Sequence, residues 1–557
     1  MSAFDPSPTA HETHAVTNQP PLLVDYDMFS SDTVLREGVT REGAAWATDE
    51  LTRFGTSMGS AEMLDHGVAA NRNPPVLHTH DRFGNRIDRV DFHPSYHACF
   101  RAGVEGEVHA LPWNRPGPGA HVARVAKHYM LSQAESGVCC PLTMTFAVVP
   151  ALQMQADLAA LWIPRVTATT YDARYRPAAE KAGATMGMTM TEKQGGSDVR
   201  ANTTRAVPQR RSGPGEPYRL TGHKWFVSAP MSDAFLALAQ APGGLSCFLV
   251  PRWLEDGTRN PFRIMRLKDK LGNRSNASAE VEYDATWGFL VGEEGKGVRT
   301  IIEMVSHTRL DCTIGSASIM RAALAQATHH AAHRSAFGSR LADQPLMRNV
   351  LADLAIESEA ATALLLRVAR GYDEASADPS KQPFVRIATA IGKYWVCKRA
   401  PAMVAEALEC LGGAGYIEES VMPRLFRESP VSSVWEGSGN VMCLDVLRAL
   451  KREPESLEAL RAELSMARGA DKRLDAHLKH IETALADPSD LEARARRIVE
   501  MLALGLQGAL LTRHAPAAVA DAFCATRLGA EGGLAFGTLP PRLAFHEIVM
   551  RATPLAG

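Results

Sequence analysis

The chain has 557 residues, of which 45% are hydrophobic and 22% charged, with a formal net charge of −2. That length is too great for one hydrophobic core and predicts three or four domains. The near-neutral balance excludes a global pull toward nucleic acid or membrane, so any such binding needs a local patch.

The nine cysteines show no CxxC spacing, and Cys139-Cys140 is only an adjacent pair. This fits a reducing compartment and argues against a disulfide scaffold or a zinc site. Residues 1–31 start with Pro6, Pro8, His11, Glu12, His14 and Pro20 and lack a basic segment followed by an apolar one. They read as a mobile N-terminal arm on a cytoplasmic protein.

Residues 32–186 form a helical domain, as at 121–131, where apolar residues return every three or four positions. Within it, 71–93 carries Pro74, Pro75, Gly84 and several charges and reads as a surface excursion. Residues 187–288 change character: β-branched and aromatic runs at 203–207, 218–220, 225–228, 235–238, 247–250 and 279–283 alternate with turn residues and predict a β domain. Helices return at 289–447, over 298–333, 345–372 and 384–411, and predict a bundle. A break follows at Gly412-Gly413-Ala414-Gly415. Residues 448–557, rich in Ala, Leu and Arg, form a C-terminal helical domain whose longest apolar run, 501–511, is too short to span a bilayer. The fold class is α+β, mainly α, in the order helical, β, helical, helical.

Two motifs carry chemistry. Gly195-Gly196-Ser197 can present backbone N–H groups and a hydroxyl to an anion such as a pyrophosphate, or it can be a tight strand connection. Glu436, between Trp435 and Gly437, can be a general base whose pKa is raised beside an apolar surface, or it can cap the helix that starts near Val441. On their residue types alone, Lys224, Met186, Met188 and Met190 read as structural. His329 with His333, and His78-Thr79-His80-Asp81, lack the three or four convergent ligands of a zinc site and read as surface or packing histidines; no metal is expected.

Five motifs occur in a fixed order: Met190-Thr191-Glu192 with Gly195-Gly196-Ser197-Asp198; Gly222-His223-Lys224-Trp225-Phe226-Val227-Ser228; Arg334-Ser335-Ala336-Phe337-Gly338; Gly412-Gly413-Ala414-Gly415-Tyr416; and Trp435-Glu436-Gly437. Together they resemble the acyl-CoA dehydrogenase family of flavoproteins. The resemblance implies a helical domain, a β-barrel domain and a helical bundle that bind FAD without a Rossmann unit, with the C-terminal helical domain as an addition. It places Met188, Met190, Thr191, Gly196 and Ser197 on the flavin and its pyrophosphate, and Phe226, Val227 and Ser228 on the other side of the ring. Trp435, Gly437 and Asn440 lie close to the cofactor. Arg334, Phe337, Gly412 and Gly413 reach the FAD of a neighbouring subunit, which implies a homo-oligomer, a tetramer by preference. Glu436 falls at the family's base position and Arg309 at a substrate-side or loop-supporting position; Thr308 stands where some members carry an alternative base. The implied reaction removes an α proton from an acyl-CoA while the β hydrogen leaves as hydride. Glu409 departs from the glutamine common at that position.

The length beyond the usual family end, the N-terminal loops, and the segments 192–199, 268–278 and 435–440 resemble the AidB subfamily. This implies a role in the adaptive response to DNA alkylation, duplex DNA binding through the C-terminal domain and at most weak dehydrogenase activity. The alternative is a metabolic acyl-CoA dehydrogenase of short or branched chains with no DNA role. From Arg448 onward there are 15 Lys and Arg against 14 Asp and Glu, so the tail is not basic overall and DNA contact must rest on arrangement. Arg448, Lys451 and Arg452 share one helix face and are the DNA candidates. Arg461, Arg468, Lys472 and Lys479 make a stripe if 455–486 is one helix.

Overall fold

A computed structural model describes residues 13–554. The part of the expected arm at 1–12 lies outside the described residues. From Asn18 onward the same stretch is fixed to the molecule, which corrects the reading of a mobile arm reaching residue 31. The Asn18 amide exchanges two hydrogen bonds of 2.8 Å with the backbone of Ser335, His329 meets the Pro21 carbonyl, and Met28 and Phe29 are buried.

Helices α1 (Thr33–Arg41), α2 (Thr48–Met58) and α3 (Ala61–Arg72) follow. Asp32 and Ser60 cap α1 and α3 by accepting from the Leu35 and Met63 amides, donors that a helix start leaves free. The segment at 71–93 is not a loose excursion. Strands β1 (Val76–His80) and β2 (Arg86–Asp91) pair as an antiparallel hairpin that docks on the β domain, where Asp88 accepts from the Ile264 amide. The one buried residue of β2 is the charged Asp88, paired with Arg86, so no apolar alternation announces the strand.

Then come α4 (Pro94–Glu105), α5 (Leu111–Asn114), α6 (Ala120–Ala134), α7 (Cys139–Leu152) and α8 (Ala156–Val166). Helix α6 is central, and every one of its residues is buried, including His121, Arg124, Lys127 and His128. Pairing makes this tolerable: Arg124 grips Asp311 through two bonds of 2.5 Å, and Lys127 reaches Glu50.

The β domain contains β3 (Met186–Thr189), β4 (Arg205–Pro208), β5 (Pro217–Ser228), β6 (Ala234–Ala241), β7 (Gly244–Pro251), β8 (Phe262–Leu267) and β9 (Ser278–Val291). Pairings β6–β4, β4–β5, β5–β9, β9–β7 and β7–β6 close a ring, with β3 added on β6 and β8 on β9. The result is a small barrel filled by Tyr218, Phe235, Phe248, Phe262 and Tyr283.

Helix α9 (Gly297–His333), the short hairpin β10 (Ser335–Ala336) and β11 (Ser339–Arg340), α10 (Pro345–Ala377) and α11 (Gln382–Glu409) build the bundle around α6. After α12 (Gly413–Tyr416) and α13 (Met422–Glu428), α14 (Gly439–Arg452) leads into the tail. The tail consists of α15 (Pro454–Ser465), α16 (Lys472–Ala486), α17 (Leu491–His514), α18 (Ala517–Phe523) and α19 (Phe545–Ala552). A single helix over 455–486 is not formed, because the chain turns at 466–471, where Gly469 takes a positive φ of 83°. Leu460, Leu502 and Leu506 of the tail join Ile387, Ile391 and Val404 of α11 in one hydrophobic core. Among the described residues no helix is long and apolar enough to cross a membrane.

Candidate active site

The loop after β3 is shaped by a buried carboxylate. Glu192 accepts from the Thr203 amide at 2.7 Å, from the Thr204 amide at 3.1 Å and from Lys224 Nζ at 2.9 Å, and both members of that ion pair are fully buried. Burial pushes the Glu192 carboxyl up, but the Lys224 charge and these donors outweigh it and hold the group well below the usual carboxylate range. Lys224 thus has a structural role. The loop so tied presents Thr191, Gly196 and Ser197, with Ser197 exposed. A Cβ at position 196 would stand 2.3 Å from Thr191 Oγ1, so only glycine fits there.

At the end of β5, Phe226 is 54% exposed while Val227 is buried in the barrel. Val227 therefore offers a flat ligand only its backbone, whereas the Phe226 ring and the Ser228 hydroxyl can face one. Met188 points into the core between barrel and helices, and Met190 packs at its edge. Lys268 Nζ sits 4.7 Å from the centre of the Phe226 ring.

The second group of expected cofactor contacts lies on other elements. Arg334 follows α9, and Phe337 forms the tip of the β10–β11 turn with φ of 53° and 99% exposure. Gly412 and Gly413 open the turn between α11 and α12. Phe337, Gly412 and Gly413 are exposed, as are Tyr416, Ile417 and Val434, while Arg334 is half-buried and donates to the Asn18 carbonyl.

Glu436 occupies the turn between α13 and α14. Its backbone is left-handed, with φ of 56°, an uncommon state for this residue type. Two cations hold that turn by its carbonyls: buried Lys393 of α11 donates to Trp435 O at 2.9 Å and to Gly437 O, and Arg309 Nε of α9 donates to Glu436 O at 3.2 Å. Asp445 anchors Arg309 at 2.9 Å and also receives Arg386. Arg309 is thereby occupied as a loop support, and its substrate-side role gains nothing from this geometry.

Thr308 Oγ1 donates to Glu436 Oε2 at 2.6 Å, and Oε1 accepts no hydrogen bond from the described residues. Burial raises the Glu436 pKa above the usual carboxylate value, and the Thr308 hydroxyl, Arg309 and Lys393 oppose that rise. Across from it, the Cys140 thiol at the start of α7 meets the side chains of Ser228 and Asn276. Sequence reasoning missed Cys140 and Lys393. It weighed Thr308 only as an absent base, although a hydroxyl one position from Arg309 was a signal for a partner to Glu436.

Asn440 lies exposed in the first turn of α14, and its Oδ1 accepts from Arg496 Nε of α17 at 2.8 Å. Arg448 is exposed but leans on Asp445 at 3.4 Å, while Lys451 and Arg452 are exposed without an ion pair among the described residues. Of the expected stripe, Arg461 is bound to Glu482 at 2.5 Å. Asp475 caps the Gly469 amide rather than pairing with Lys479.

A closed barrel between helical layers, together with the likenesses that follow, defines the class: the chain belongs to the acyl-CoA dehydrogenase family. Family models match in succession as the adaptive response protein AidB N-terminal domain at 18–173, the acyl-CoA dehydrogenase middle domain at 187–286 and the acyl-CoA dehydrogenase C-terminal domain at 295–451. Within the family it is AidB-like, being 46% identical to AidB of Escherichia coli (strain K12) over 97% of this chain and 98% of that one. The structure of Caenorhabditis elegans ACDH-11 in complex with C11-CoA superposes with a TM-score of 0.83 at 27% identity, covering 93% of this chain and 95% of that one. An acyl-CoA dehydrogenase from Bacillus anthracis complexed with FAD shares the fold, with a TM-score of 0.60 at 16% identity over 78% and 77% of the chains. FAD is the cofactor of the family, and the residues here fit it: the glycine-only position at 196, the exposed Ser197 hydroxyl and the open Phe226 ring.

Proposed function

We propose that this protein is an FAD-dependent, AidB-like acyl-CoA dehydrogenase in which Glu436 is the base. The carrying observation is the Glu436 carboxylate, fixed by Thr308 on one oxygen and free on the other. In this reading Oε1 takes the α proton of an acyl thioester, and the raised pKa brings its basicity toward neutrality. Lys393 and Arg309 pin the backbone so that the carboxylate does not swing away, which is how positioning lowers the barrier. FAD, when bound, accepts the β hydrogen as hydride. Anaerobic mixing of the holoprotein with a panel of acyl-CoAs should bleach the flavin, and Glu436→Gln should slow bleaching by about 10³-fold or more. Equal bleaching by the variant would sink the assignment.

The likeness to AidB supports a second, finer reading: a role in the response to DNA alkylation, with duplex DNA bound by the C-terminal domain near Arg448, Lys451 and Arg452 and with weak turnover. Exposed Lys451 and Arg452 favour it, and the tail's charge balance restricts it to a small patch. Anisotropy of a labelled duplex should fall with salt, and Lys451→Glu with Arg452→Glu should weaken binding. Salt-independent binding, or no binding at low salt, would remove the DNA role. The outward set around Phe337 supports a homotetramer in which Arg334, Phe337, Gly412 and Gly413 of one copy meet the flavin of another. Nine free thiols suit a cytoplasmic setting.

A further inference from the structure

The β1–β2 hairpin, α4 and the segment 171–185 surround a cavity of about 750 Å³ that the proposed chemistry does not use. Neither Glu436 nor Ser197 nor Phe226 lines it, and Arg89, Arg174 and Arg176, which do, are exposed, so solvent reaches it. Its walls are fixed even though 171–177 forms neither helix nor strand. Asp172 accepts from the Ala182 amide at 3.1 Å and from Arg174 Nη2 at 2.6 Å, and Lys181 Nζ meets Asp233 at 2.7 Å.

Two kinds of side chain share this surface. Phe92, His97, Tyr171 and Tyr175 are half-buried rings. His97 stacks on Tyr171 with ring centres 5.9 Å apart, and its Nδ1 shares a 2.8 Å hydrogen bond with the Tyr171 hydroxyl, which leaves Nε2 without a partner among the described residues. Burial and the Arg101 charge hold the His97 pKa below its usual value, so the ring is neutral. The other kind is the guanidinium, which has five N–H donors. Arg89 commits Nε to Asp91, Arg176 commits Nη1 to Glu180, and Arg174 leaves Nη1 unused. Such exposed pairs hold weakly and are readily shared. Behind them Arg252 is 3% exposed and donates only to the Pro230 and Asp88 carbonyls and to the Tyr175 hydroxyl. No carboxylate forms an ion pair with it among the described residues, so its charge acts on the cavity wall uncompensated.

We propose that this cavity binds a nucleoside phosphate, with the base against the half-buried rings and the phosphate on Arg89, Arg174 and Arg176. Aromatic faces take a base by stacking, and the guanidinium fork matches phosphate oxygens. The volume lies in the range of small-molecule sites. A bare phosphate would leave the rings uncovered and most of the space unfilled. A neutral ring compound would leave the guanidinium donors and the Arg252 charge unmatched. A metal ion is not favoured, because the described residues hold no group of three His, Cys, Asp or Glu that could ligate one. The site shares no residue with the acyl-thioester reading and does not depend on it.

The test is calorimetric titration of the FAD-saturated holoprotein with AMP, adenosine and inorganic phosphate. AMP should bind at least about 10-fold more tightly than either fragment, since it alone engages both the rings and the cations. Arg174→Gln with Arg176→Gln should weaken AMP by about 10-fold or more, while the melting temperature without AMP stays close to the parent's. His97→Asn keeps a hydrogen-bond partner for Tyr171 but loses the stacking ring, and should weaken AMP and leave phosphate unchanged. Arg89→Gln, on the hairpin wall, repeats the charge test if the double variant unfolds. No binding of AMP at millimolar concentration, equal affinity for AMP and phosphate, or unchanged AMP affinity in the folded variants would each overturn the site. Displacement of AMP by butyryl-CoA, with the cavity variants unaffected, would put AMP in a thioester groove instead and overturn it equally.

Discussion

Burial and the Thr308 hydroxyl pull the Glu436 carboxyl in opposite directions, burial more strongly. The hydroxyl's hydrogen bond goes to the carboxylate, so it favours the charged form, while burial favours the neutral acid. Thr308→Val removes the donor at nearly constant volume and should raise the Glu436 pKa further. Only the deprotonated base can take a proton, so the acid limb of the flavin-reduction rate should move to higher pH by about one unit. Above both values the rates should converge. A limb that stays in place in the pH profile of stopped-flow bleaching would mean that it belongs to another group.

At the level of elements, α9 and α11 hold the turn at 435–437 from two sides. Lys393→Met takes donors from the Trp435 and Gly437 carbonyls, and a turn whose central residue has φ of 56° loses two of its restraints. Flavin content should stay near that of the parent, while the bleaching rate falls by about 10²-fold, the cost of misplacing a base by roughly an ångström. Parallel loss of flavin and rate would instead show general unfolding of the turn. The barrel strands and the long bundle helices were legible from β-branched runs and helical periodicity, and the family motifs singled out Glu436 and the Gly195-Gly196-Ser197 turn as the residues to inspect. The β1–β2 hairpin was not legible, because Asp88 fills the position where an apolar residue would have marked a strand. Nor was Lys393 readable as a carbonyl donor to the turn at 435–437, and the loop-supporting alternative for Arg309 named no target: in sequence each is a cation on a helix, and only the crossing of two helices gives it one.

Over the whole molecule, the tail that sequence reasoning separated at residue 448 shares its core with the bundle. Trp395 Nε1 donates to Gln507 Oε1 at 3.0 Å, Arg551 of α19 binds Glu37 and Glu359, and tail leucines pack on α11. Deleting 453–557 would bare those contacts, and exposing even a few buried leucines costs about 1.5–3 kcal/mol each. The truncated chain should be recovered mainly as aggregate, or melt far below the parent by differential scanning calorimetry. A soluble truncation with the parent's melting temperature would show that the tail is an independent unit. Any DNA role is therefore better tested by charge reversal at Lys451 and Arg452 than by cutting the tail away.

The clasp between Asn18 and Ser335 has a wider meaning in that setting. Arg334 also donates to the Asn18 carbonyl, so the chain's own beginning braces the residue that is read as reaching another copy's cofactor. In the proposed assembly, each protomer's N-terminal segment would then act as a splint for its neighbour's flavin pocket, and a purification tag fused at that end would alter the colour of a subunit it never touches.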